Sequence, residues 1–304
     1  MQPSSIPPSP GRPPAELLVD AALARGLVAA QHADLGDLPV TPAAEGWDNA
    51  MFRLGDQLAL RLPRREIGAR LIVNEQRWLP VLAPRLPLAV PAPLRIGVPQ
   101  ADYPWPWSIV PWLEGETADL APPDGSEGPA LAACFRALHV PAPPEAPVNA
   151  YRGVPLASRR ETFEARLIAV RAKRGAVDPG LEAIWQAALA APDDAAPTWI
   201  HGDTHPRNVL VREGRFSALI DWGDMARGDR ASDLAGVWML LPQAASRAAA
   251  MAALPEVSAA TWARARGWAA LYVLMLMEAG LDGDARMGVV AMATQRRLVE
   301  DAGG

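Results

Sequence analysis

The side chains best suited to chemistry in this 304-residue chain are concentrated between His201 and Asn208, where the sequence reads His-Gly-Asp-Thr-His-Pro-Arg-Asn. Asp221 follows after a further apolar run. Both polar segments come directly after short apolar stretches that are typical of buried strands. Because burying a polar group without a partner costs about 1–3 kcal/mol, these groups are expected to form a network or to hold an ion.

Three interpretations fit this cluster. A polar turn between two strands would need no chemistry, but the density of chemically capable side chains is high for a turn. A metal-dependent hydrolase is suggested by the pattern His201-x-Asp203-x-His205. Such sites usually need more nitrogen or carboxylate ligands, and the two remaining histidines, His32 and His139, stand in helix-like contexts.

Phosphoryl transfer is the third interpretation and has the strongest physical basis. The spacing from His201 through Asp203 to Asn208 matches the catalytic loop of kinases, in which the aspartate accepts the hydroxyl proton and the asparagine holds magnesium. Asp221, at the end of a later strand, would chelate the metal that bridges the nucleotide phosphates. Positioning and charge neutralisation supply most of the rate in this chemistry, so few side chains are required.

The elements that must position these residues divide the chain into three ranges. Residues 1–14 are predicted to be a flexible tail, residues 15–113 a small α+β part, and residues 114–304 a larger, mainly helical part, with the joint at Glu114-Gly115. The patterning predicts helices over Pro13–Leu27, Arg65–Leu82 and residues 230–301. It predicts a hairpin of Met51–Leu54 with Leu58–Leu62. It also predicts strands over Trp107–Trp112, Trp199–His201, Val209–Arg212 and Phe216–Asp221.

Glu75 has an unusual position in the second of these helices. Leu71, Trp78, Leu79 and Leu82 have the spacing of one apolar helix face, and Glu75 falls on that face. A carboxylate there needs a cation or several donors. Arg61, on a strand with apolar neighbours, is the best candidate, and the alternative is a glutamate at the edge of the face that reaches water.

Composition excludes several other classes of protein. Half of the residues are apolar and 21% are charged, which argues against extensive disorder, and the net charge of −5 argues against a non-specific nucleic-acid binder. No apolar run is long enough to predict a membrane span. Cys134 is the single cysteine, so neither an intrachain disulfide nor a cysteine-based zinc site is possible. The beginning of the chain lacks a signal-peptide pattern, and a cytoplasmic monomer or weak dimer is expected.

These motifs resemble those of the aminoglycoside phosphotransferase and choline kinase-like family, whose members are small-molecule relatives of protein kinases. The resemblance rests on His-Gly-Asp with Asn208 and on Ile-Asp-Trp-Gly-Asp at residues 220–224. Residues 45–53 are similar to the phosphate-covering turn of a macrolide-phosphotransferase-like branch, and residues 228–235 resemble the helix that supports the catalytic loop. The implied fold is α+β and bilobal, with a nucleotide-binding N-lobe and a catalytic, acceptor-binding C-lobe.

The resemblance also implies a role for each matching residue. Asp203 would be the catalytic base, or the group that orients the hydroxyl, while Asn208 and Asp221 would ligate Mg²⁺. The implied nucleotide-binding residues are Gly46 and Asn49 in the phosphate-covering turn, Arg61 in place of the usual lysine with Glu75 as its partner, and Val110 and Trp112 at the hinge beside the purine.

The implied function is transfer of the γ-phosphate of ATP or GTP to a hydroxyl of a small molecule, such as an aminoglycoside, a macrolide or a related metabolite. The chain departs from the kinase pattern in two ways. It has no G-x-G-x-x-G motif, and it has no lysine on the third strand, because Lys173 is its single lysine. The alternative is therefore a degenerate kinase fold that binds nucleotide or a partner without transfer. Glu278, Asp282 and Asp284 could line a pocket for a cationic acceptor or could form an exposed helix end.

Overall fold

Residues 14–302 are described by the structure, which is a computed structural model of the chain. The chain divides into two units, one formed by the residues up to Pro84 with Val90–Leu113 and the other by Arg85–Ala89 with the chain from Glu114 onward. The tail predicted for residues 1–14 lies outside the described residues except for Pro14. The assignment of nucleotide binding to residues 15–113 and of catalysis to residues 114–304 stays a prediction.

The N-terminal unit is built on a five-stranded antiparallel sheet. The predicted hairpin is present, and Met51 pairs with Arg61 within it. Gly55 adopts a φ of 59° in its turn, a backbone conformation that favours glycine. The strands are β1 (Val40–Glu45), β2 (Asn49–Leu54), β3 (Leu58–Pro63), β4 (Arg95–Gly97) and β5 (Trp107–Pro111), in the order β1-β2-β3-β5-β4.

Two helices accompany this sheet, α1 (Ala21–Gln31) and α2 (Glu66–Leu82). The prediction of a first helix over Pro13–Leu27 is wrong in its limits. The helix begins only after Asp20, whose carboxylate accepts hydrogen bonds from the amides of Ala22 and Leu23 and so caps the first turn.

The buried face of α2 is shifted from the predicted one. Leu79 and Leu82 are buried as expected, but Leu71 and Trp78 are only partly buried, and Ile72 takes their place beside Glu75. The apolar spacing therefore found the helix but placed the centre of its face about one residue away. Glu75 lies at the centre of the buried face rather than at its edge, with 2% of its surface exposed.

The C-terminal unit is mainly helical and carries two small antiparallel sheets. Strand β9 (Arg215–Leu219) ends before the predicted strand Phe216–Asp221 does, so that prediction is too long. The helix α5 (Pro179–Ala190) was not predicted. The elements are β6 (Glu116–Thr117), α3 (Gly128–Leu138), α4 (Arg160–Arg174), α5 (Pro179–Ala190), β7 (Thr198–Ile200), β8 (Val209–Arg212), β9 (Arg215–Leu219), β10 (Ala226–Gly228), α6 (Ala231–Leu234), α7 (Gly236–Leu240), α8 (Ala244–Ala252), α9 (Ala259–Leu281) and α10 (Ala285–Ala302).

Helix α9 forms the centre of this unit. It packs against α4, α5, α6 and α10, and most of its residues are buried. A Cβ atom at Gly267 would lie 2.4 Å from the Cβ of Ala188, so glycine is what allows α5 and α9 to approach closely. The α+β class predicted from the sequence is confirmed. None of the helices within residues 14–302 is long and apolar enough to cross a membrane.

Candidate active site

The segment His201–Asn208 leaves strand β7 and is held in place by a buried carboxylate from helix α6. Asp233 accepts hydrogen bonds from the amides of His201 (2.7 Å) and Gly202 (2.8 Å), and its Oδ2 lies 3.2 Å from Nε2 of His139. Burial alone would raise the pKa of Asp233, but these donors hold it below its usual value. The carboxylate therefore stays ionised and fixes the beginning of the segment.

The ring of His201 joins this segment to the one that carries Asp221. Its Nδ1 accepts a hydrogen bond from the amide of Asp203 (3.2 Å), and its Nε2 donates to the carbonyl of Ile220 (3.0 Å). The amide of Ile220 in turn donates to the carbonyl of Asn208 (2.8 Å). Because His201 is fully buried and bridges two backbones, it is a structural link rather than a metal ligand.

Gly202 allows the two segments to approach each other. Its φ is 87°, and a Cβ atom at this position would lie 2.5 Å from the carbonyl oxygen of Asp224. Any side chain here would meet backbone that cannot move aside without displacing the neighbouring segment. This contact explains why glycine precedes Asp203, a position at which protein kinases carry arginine.

Replacing Gly202 with alanine is expected to destabilise the protein by about 1–3 kcal/mol, the usual cost of a strained backbone conformation. The displaced segment should also lower the rate of the phosphate transfer that the sequence motifs predict. Thermal unfolding and turnover of the purified variant would measure the two effects, with Gly175→Ala as the control. Gly175 also has a positive φ, but a Cβ there would meet nothing within 4 Å. Equal losses in the two variants would contradict a role for the close contact.

Asp203 lies at the centre of a network of donors. Its Oδ1 accepts a hydrogen bond from Nη2 of Arg152 (3.1 Å), and its Oδ2 lies 3.0 Å from Nδ2 of Asn208 and 3.3 Å from Nε2 of His205. Burial would raise the pKa of Asp203, but His205 and Arg152 hold it well below its usual range. Asp203 is therefore an ionised acceptor that can orient a hydroxyl group and stabilise the positive charge that develops on it.

The side-chain oxygen atoms of Asn208 and Asp221 are of a kind that suits a hard cation. Both hydrogen bonds donated by Nδ2 of Asn208 go to Asp203, which leaves the amide oxygen Oδ1 as an acceptor. Asp221 is exposed and has a φ of 60°, which is rare for a residue other than glycine. A carboxylate and an amide oxygen are donors of the kind that Mg²⁺ prefers, so the residues present fit this ion.

The metal-hydrolase interpretation finds no support in the histidines. The ring of His201 is used as described above, and that of His205 contacts Asp203 and accepts from the amide of Arg207. Within residues 14–302, no three His, Cys, Asp or Glu side chains form a ready metal cluster.

Sequence analysis missed Arg152, which contacts Asp203, together with Tyr272 and Asn149, which contact Arg152 and Asp224, respectively. Arg152 comes from the irregular loop between α3 and α4, and its Cζ lies 5.1 Å from the ring centre of Tyr272 on α9. Asn149, in the same loop, donates a hydrogen bond to Oδ1 of Asp224 (2.7 Å). Burial raises the pKa of Asp224. Nothing in the spacing of this Pro-rich loop distinguishes Arg152 or Asn149 from other surface residues.

The N-terminal unit contains the buried ion pair anticipated from the helix pattern. Nη2 of Arg61, on β3, lies 3.0 Å from Oε1 of Glu75, on α2, and both side chains are almost fully buried. The pair joins the sheet to the helix, and it is the arrangement that the resemblance assigns to phosphate binding with arginine instead of lysine. The phosphate-binding role itself stays a prediction.

The turn from Gly46 to Asn49 is held against the beginning of α2. The amide of Gly46 donates to the carbonyl of Asn49 (2.8 Å), and Nη1 of Arg65 lies 2.9 Å from Oδ1 of Asp48. A Cβ at Gly68 would lie 2.6 Å from the carbonyl oxygen of Asp48. The turn is therefore positioned by its contacts with α2 rather than by a glycine-rich sequence.

The predicted hinge residues leave few backbone donors for a purine. Val110 is buried within β5, Pro111 has no N–H group, and the amide of Trp112 donates to the carbonyl of Gln57 (2.8 Å). The ring of Trp112 packs against the guanidinium group of Arg53, 4.5 Å from its Cζ. A contact between Val110 or Trp112 and the base stays a prediction, and it would use carbonyl oxygens or ring surface.

Comparison with known proteins gives one family and a set of similar folds. The profile described as "Phosphotransferase enzyme family" matches residues 39–268, and no curated protein matches the sequence. The structure is similar to the GDP complex of aminoglycoside 2'-phosphotransferase-IIIa (16% identity, 93% of this chain and 100% of that chain, TM-score 0.61). It is also similar to ADP-bound aminoglycoside phosphotransferase APH(2'')-Ib, at 15% identity, with 92% of this chain and 99% of that chain covered and a TM-score of 0.57.

A third solved structure shares more of the sequence. Macrolide 2'-phosphotransferase MphH from Brachybacterium faecium, as the apoenzyme, is 25% identical, with 90% of this chain and 98% of that chain covered and a TM-score of 0.53. These similarities confirm the kinase-like fold and the family resemblance inferred from the motifs.

Proposed function

We propose that this chain, which belongs to the phosphotransferase enzyme family, transfers the γ-phosphoryl group of ATP or GTP to a hydroxyl group of a small molecule in a Mg²⁺-dependent reaction. The observation that carries the proposal is the network around Asp203, in which an ionised carboxylate, the Asn208 amide and the segment of Asp221 are joined by hydrogen bonds. The GDP and ADP complexes among the solved relatives support a nucleotide co-substrate.

Asp203 is proposed to accept a hydrogen bond from the acceptor hydroxyl and to take up its proton as the new O–P bond forms. Its low pKa makes it a weak base in the ground state, so orientation of the hydroxyl is its main contribution early in the reaction. Arg152 and His205 keep the carboxylate ionised and fix its direction through the contacts described above.

Asn208 and Asp221 are proposed to hold Mg²⁺, which when bound neutralises charge on the nucleotide phosphates. Arg61 is proposed to bind phosphate oxygens, and Glu75 holds its guanidinium group in place. An arginine can bind phosphate through two parallel hydrogen bonds, so loss of the usual lysine does not remove the required charge. Gly46 and Asn49 are proposed to cover the phosphates, and Val110 and Trp112 to contact the base.

The test is nucleotide consumption with a panel of hydroxylated acceptors, comparing the wild-type chain with Asp203→Ala. Acceptor-dependent release of nucleoside diphosphate by the wild type alone supports the proposal. Equal turnover by both proteins would show that Asp203 is not the catalytic group. Binding of nucleotide with no transfer to any acceptor would favour the degenerate kinase fold.

Asp221→Asn is expected to weaken the Mg²⁺-dependent part of nucleotide binding, because an amide replaces a charged ligand. Thermal shift with ATP and with GTP, each with and without Mg²⁺, measures this effect. A ligand at 100 times its dissociation constant stabilises by about 2.7 kcal/mol, which is readily detected. Asp282→Asn, which alters only a surface ion pair with Lys173, is the control. An unchanged Mg²⁺ dependence in Asp221→Asn would contradict the proposed role.

A further inference from the structure

The acidic residues that could have bound a cationic acceptor are already neutralised within the chain. At the end of α9, Glu278 pairs with Arg166 and Asp282 with Lys173, while Oδ2 of Asp284 lies 2.7 Å from Nη1 of Arg207. A polycation would have to displace these basic side chains from the acids, and the displaced side chains would then lie beside the positive charges of the polycation. This part of the C-terminal unit is therefore poorly suited to a polycationic acceptor.

The residue next to Asp203 is an arginine, Arg152, which pairs with Asp203 and lies within ion-pair distance of Asp224. Arg152 donates to Asp203, but its Nε is buried and makes no hydrogen bond with any described residue, since the nearest Asp224 oxygen is 3.9 Å away. The guanidinium group packs on the ring of Tyr272. Arg152 therefore retains a donor that a further acceptor atom could use.

Arg159 adds a second positive charge, directly before α4. Among the described residues, no carboxylate forms an ion pair with Arg159, and its buried Nε makes no hydrogen bond. Its Cζ lies 5.4 Å from the ring centre of Tyr151, the residue next to Arg152 in the chain. Burial lowers the pKa of Arg159, and the positive charges of Arg152 and Arg166 lower it further. A partly buried arginine without a counterion is unfavourable in the protein alone, and an anion would relieve that cost.

One face of α9 carries the contacts of Arg152 and of Arg166. Tyr272, Met275 and Glu278 follow one another at intervals of three residues, which places them on the same side of the helix. Arg152 contacts the first two, and Arg166 pairs with Glu278. A molecule with a hydroxyl at Asp203 could extend along this face from Arg152 toward Arg166.

We propose that Arg152 and Arg159 bind an anionic group of the acceptor, a carboxylate or a phosphate, so that the substrate is a hydroxylated anion rather than a polycation. This inference rests on the proposed phosphotransfer function. Arg152 both orients Asp203 and contacts the acceptor, whereas Arg159 contacts the acceptor and the ring of exposed Tyr151 and does not touch Asp203. Arg159 is therefore the residue whose replacement isolates anion recognition from catalysis.

The test measures binding of malonate, inorganic phosphate and neutral malonamide by thermal shift. Mg²⁺ and a nucleoside diphosphate are present throughout, and sodium chloride keeps the ionic strength constant. Malonate or phosphate should raise the Tm of the wild type, and malonamide should not. The shift should disappear in Arg159→Gln and persist in Arg171→Gln, a control on α4 that loses only the exposed pair with Glu182. A larger shift with malonate or with phosphate identifies the anionic group.

The result that would overturn the proposal is an equal effect of malonate and malonamide, or a shift that survives in Arg159→Gln. The unliganded Arg159→Gln variant should unfold within a few degrees of the wild type, because the arginine loses no ion pair and gives up only a contact with the exposed ring of Tyr151. A large decrease would indicate a structural role and contradict the proposal. For an acceptor found by screening, this variant should raise KM about tenfold, equivalent to about 1.4 kcal/mol, with little change in kcat.

Two further outcomes separate this inference from the proposed function. In the first outcome, Mg²⁺ with the nucleoside diphosphate does not raise the Tm, but malonate or phosphate raises the Tm of the wild type and not that of Arg159→Gln. The proposed phosphotransfer function is then refuted, and the anion site is supported. If a polycation is phosphorylated with a KM that Arg159→Gln does not alter, phosphotransfer stands and the anion site is refuted.

Discussion

Asp203→Asn is expected to lower kcat for phosphate transfer by about 10³-fold, within the range that removal of a general base produces. The amide can still contact Arg152 through its oxygen, but it can neither take up a proton nor stabilise the charge that develops on the attacking hydroxyl. Nucleotide binding should change little, because Asn208 and Asp221 remain. Steady-state kinetics with an acceptor from the panel, together with nucleotide titration, would separate these effects.

The matched control is Asp178→Asn, which changes a carboxylate that caps α5 through the amide of Gly180. Its activity should equal that of the wild type. If Asp203→Asn retained more than about a tenth of wild-type kcat, Asp203 would be a positioning group rather than the base.

The low pKa of Asp203 also links the site to acid stability. A carboxyl whose pKa is lower in the folded chain contributes stability above its unfolded pKa of about 3.9 and loses that contribution as the pH falls further. The free energy of unfolding of the wild type should therefore decrease below about pH 4 more steeply than that of Asp203→Asn. Chemical denaturation over a series of pH values would measure the difference in slope, and parallel curves would contradict it.

Asp233→Asn is expected to be the most destabilising change at the site, by about 3 kcal/mol. The carboxylate is fully buried and serves the amides of His201 and Gly202 as well as the ring of His139. An asparagine offers one acceptor in place of two and turns its NH₂ group toward a donor. At least one buried amide is then left without a partner, and the segment that carries Asp203 loses its anchor.

Denaturant unfolding and kcat would both report this change. Asp282→Asn, at an exposed ion pair, should alter stability by less than about 1 kcal/mol. A variant at Asp233 with wild-type stability and activity would show that the segment is held by its other contacts.

The order of elements and the candidate catalytic segment were predictable because they depend on local pattern. Strand periodicity, Gly55 in the hairpin turn and the spacing of Asp203 and Asn208 are all read within a few residues. The burial of Glu75 was also predictable, because helical spacing places it among apolar residues whatever the rest of the fold.

The residues around Asp203 that were missed depend on long-range packing. Arg152 reaches Asp203 from an irregular loop about fifty residues earlier, and Tyr272 comes from a helix about seventy residues later. The limits of α1 depended on Asp20 as a cap rather than on the earlier prolines. The acids of Glu278 to Asp284 looked available in the sequence because nothing local indicates that Arg166, Lys173 and Arg207 pair with them.

The arginine at position 61 has a practical consequence for detecting this protein. In the proposed phosphate-binding role of Arg61, reagents that label kinases by acylating the amine beside the nucleotide phosphates would meet a guanidinium group, which is not an amine nucleophile. Lys173, the single lysine, is about half exposed on α4, in the other unit. Amine-directed profiling would therefore overlook the chain as a nucleotide binder, although the same chemistry offers one lysine for attaching a dye or a surface.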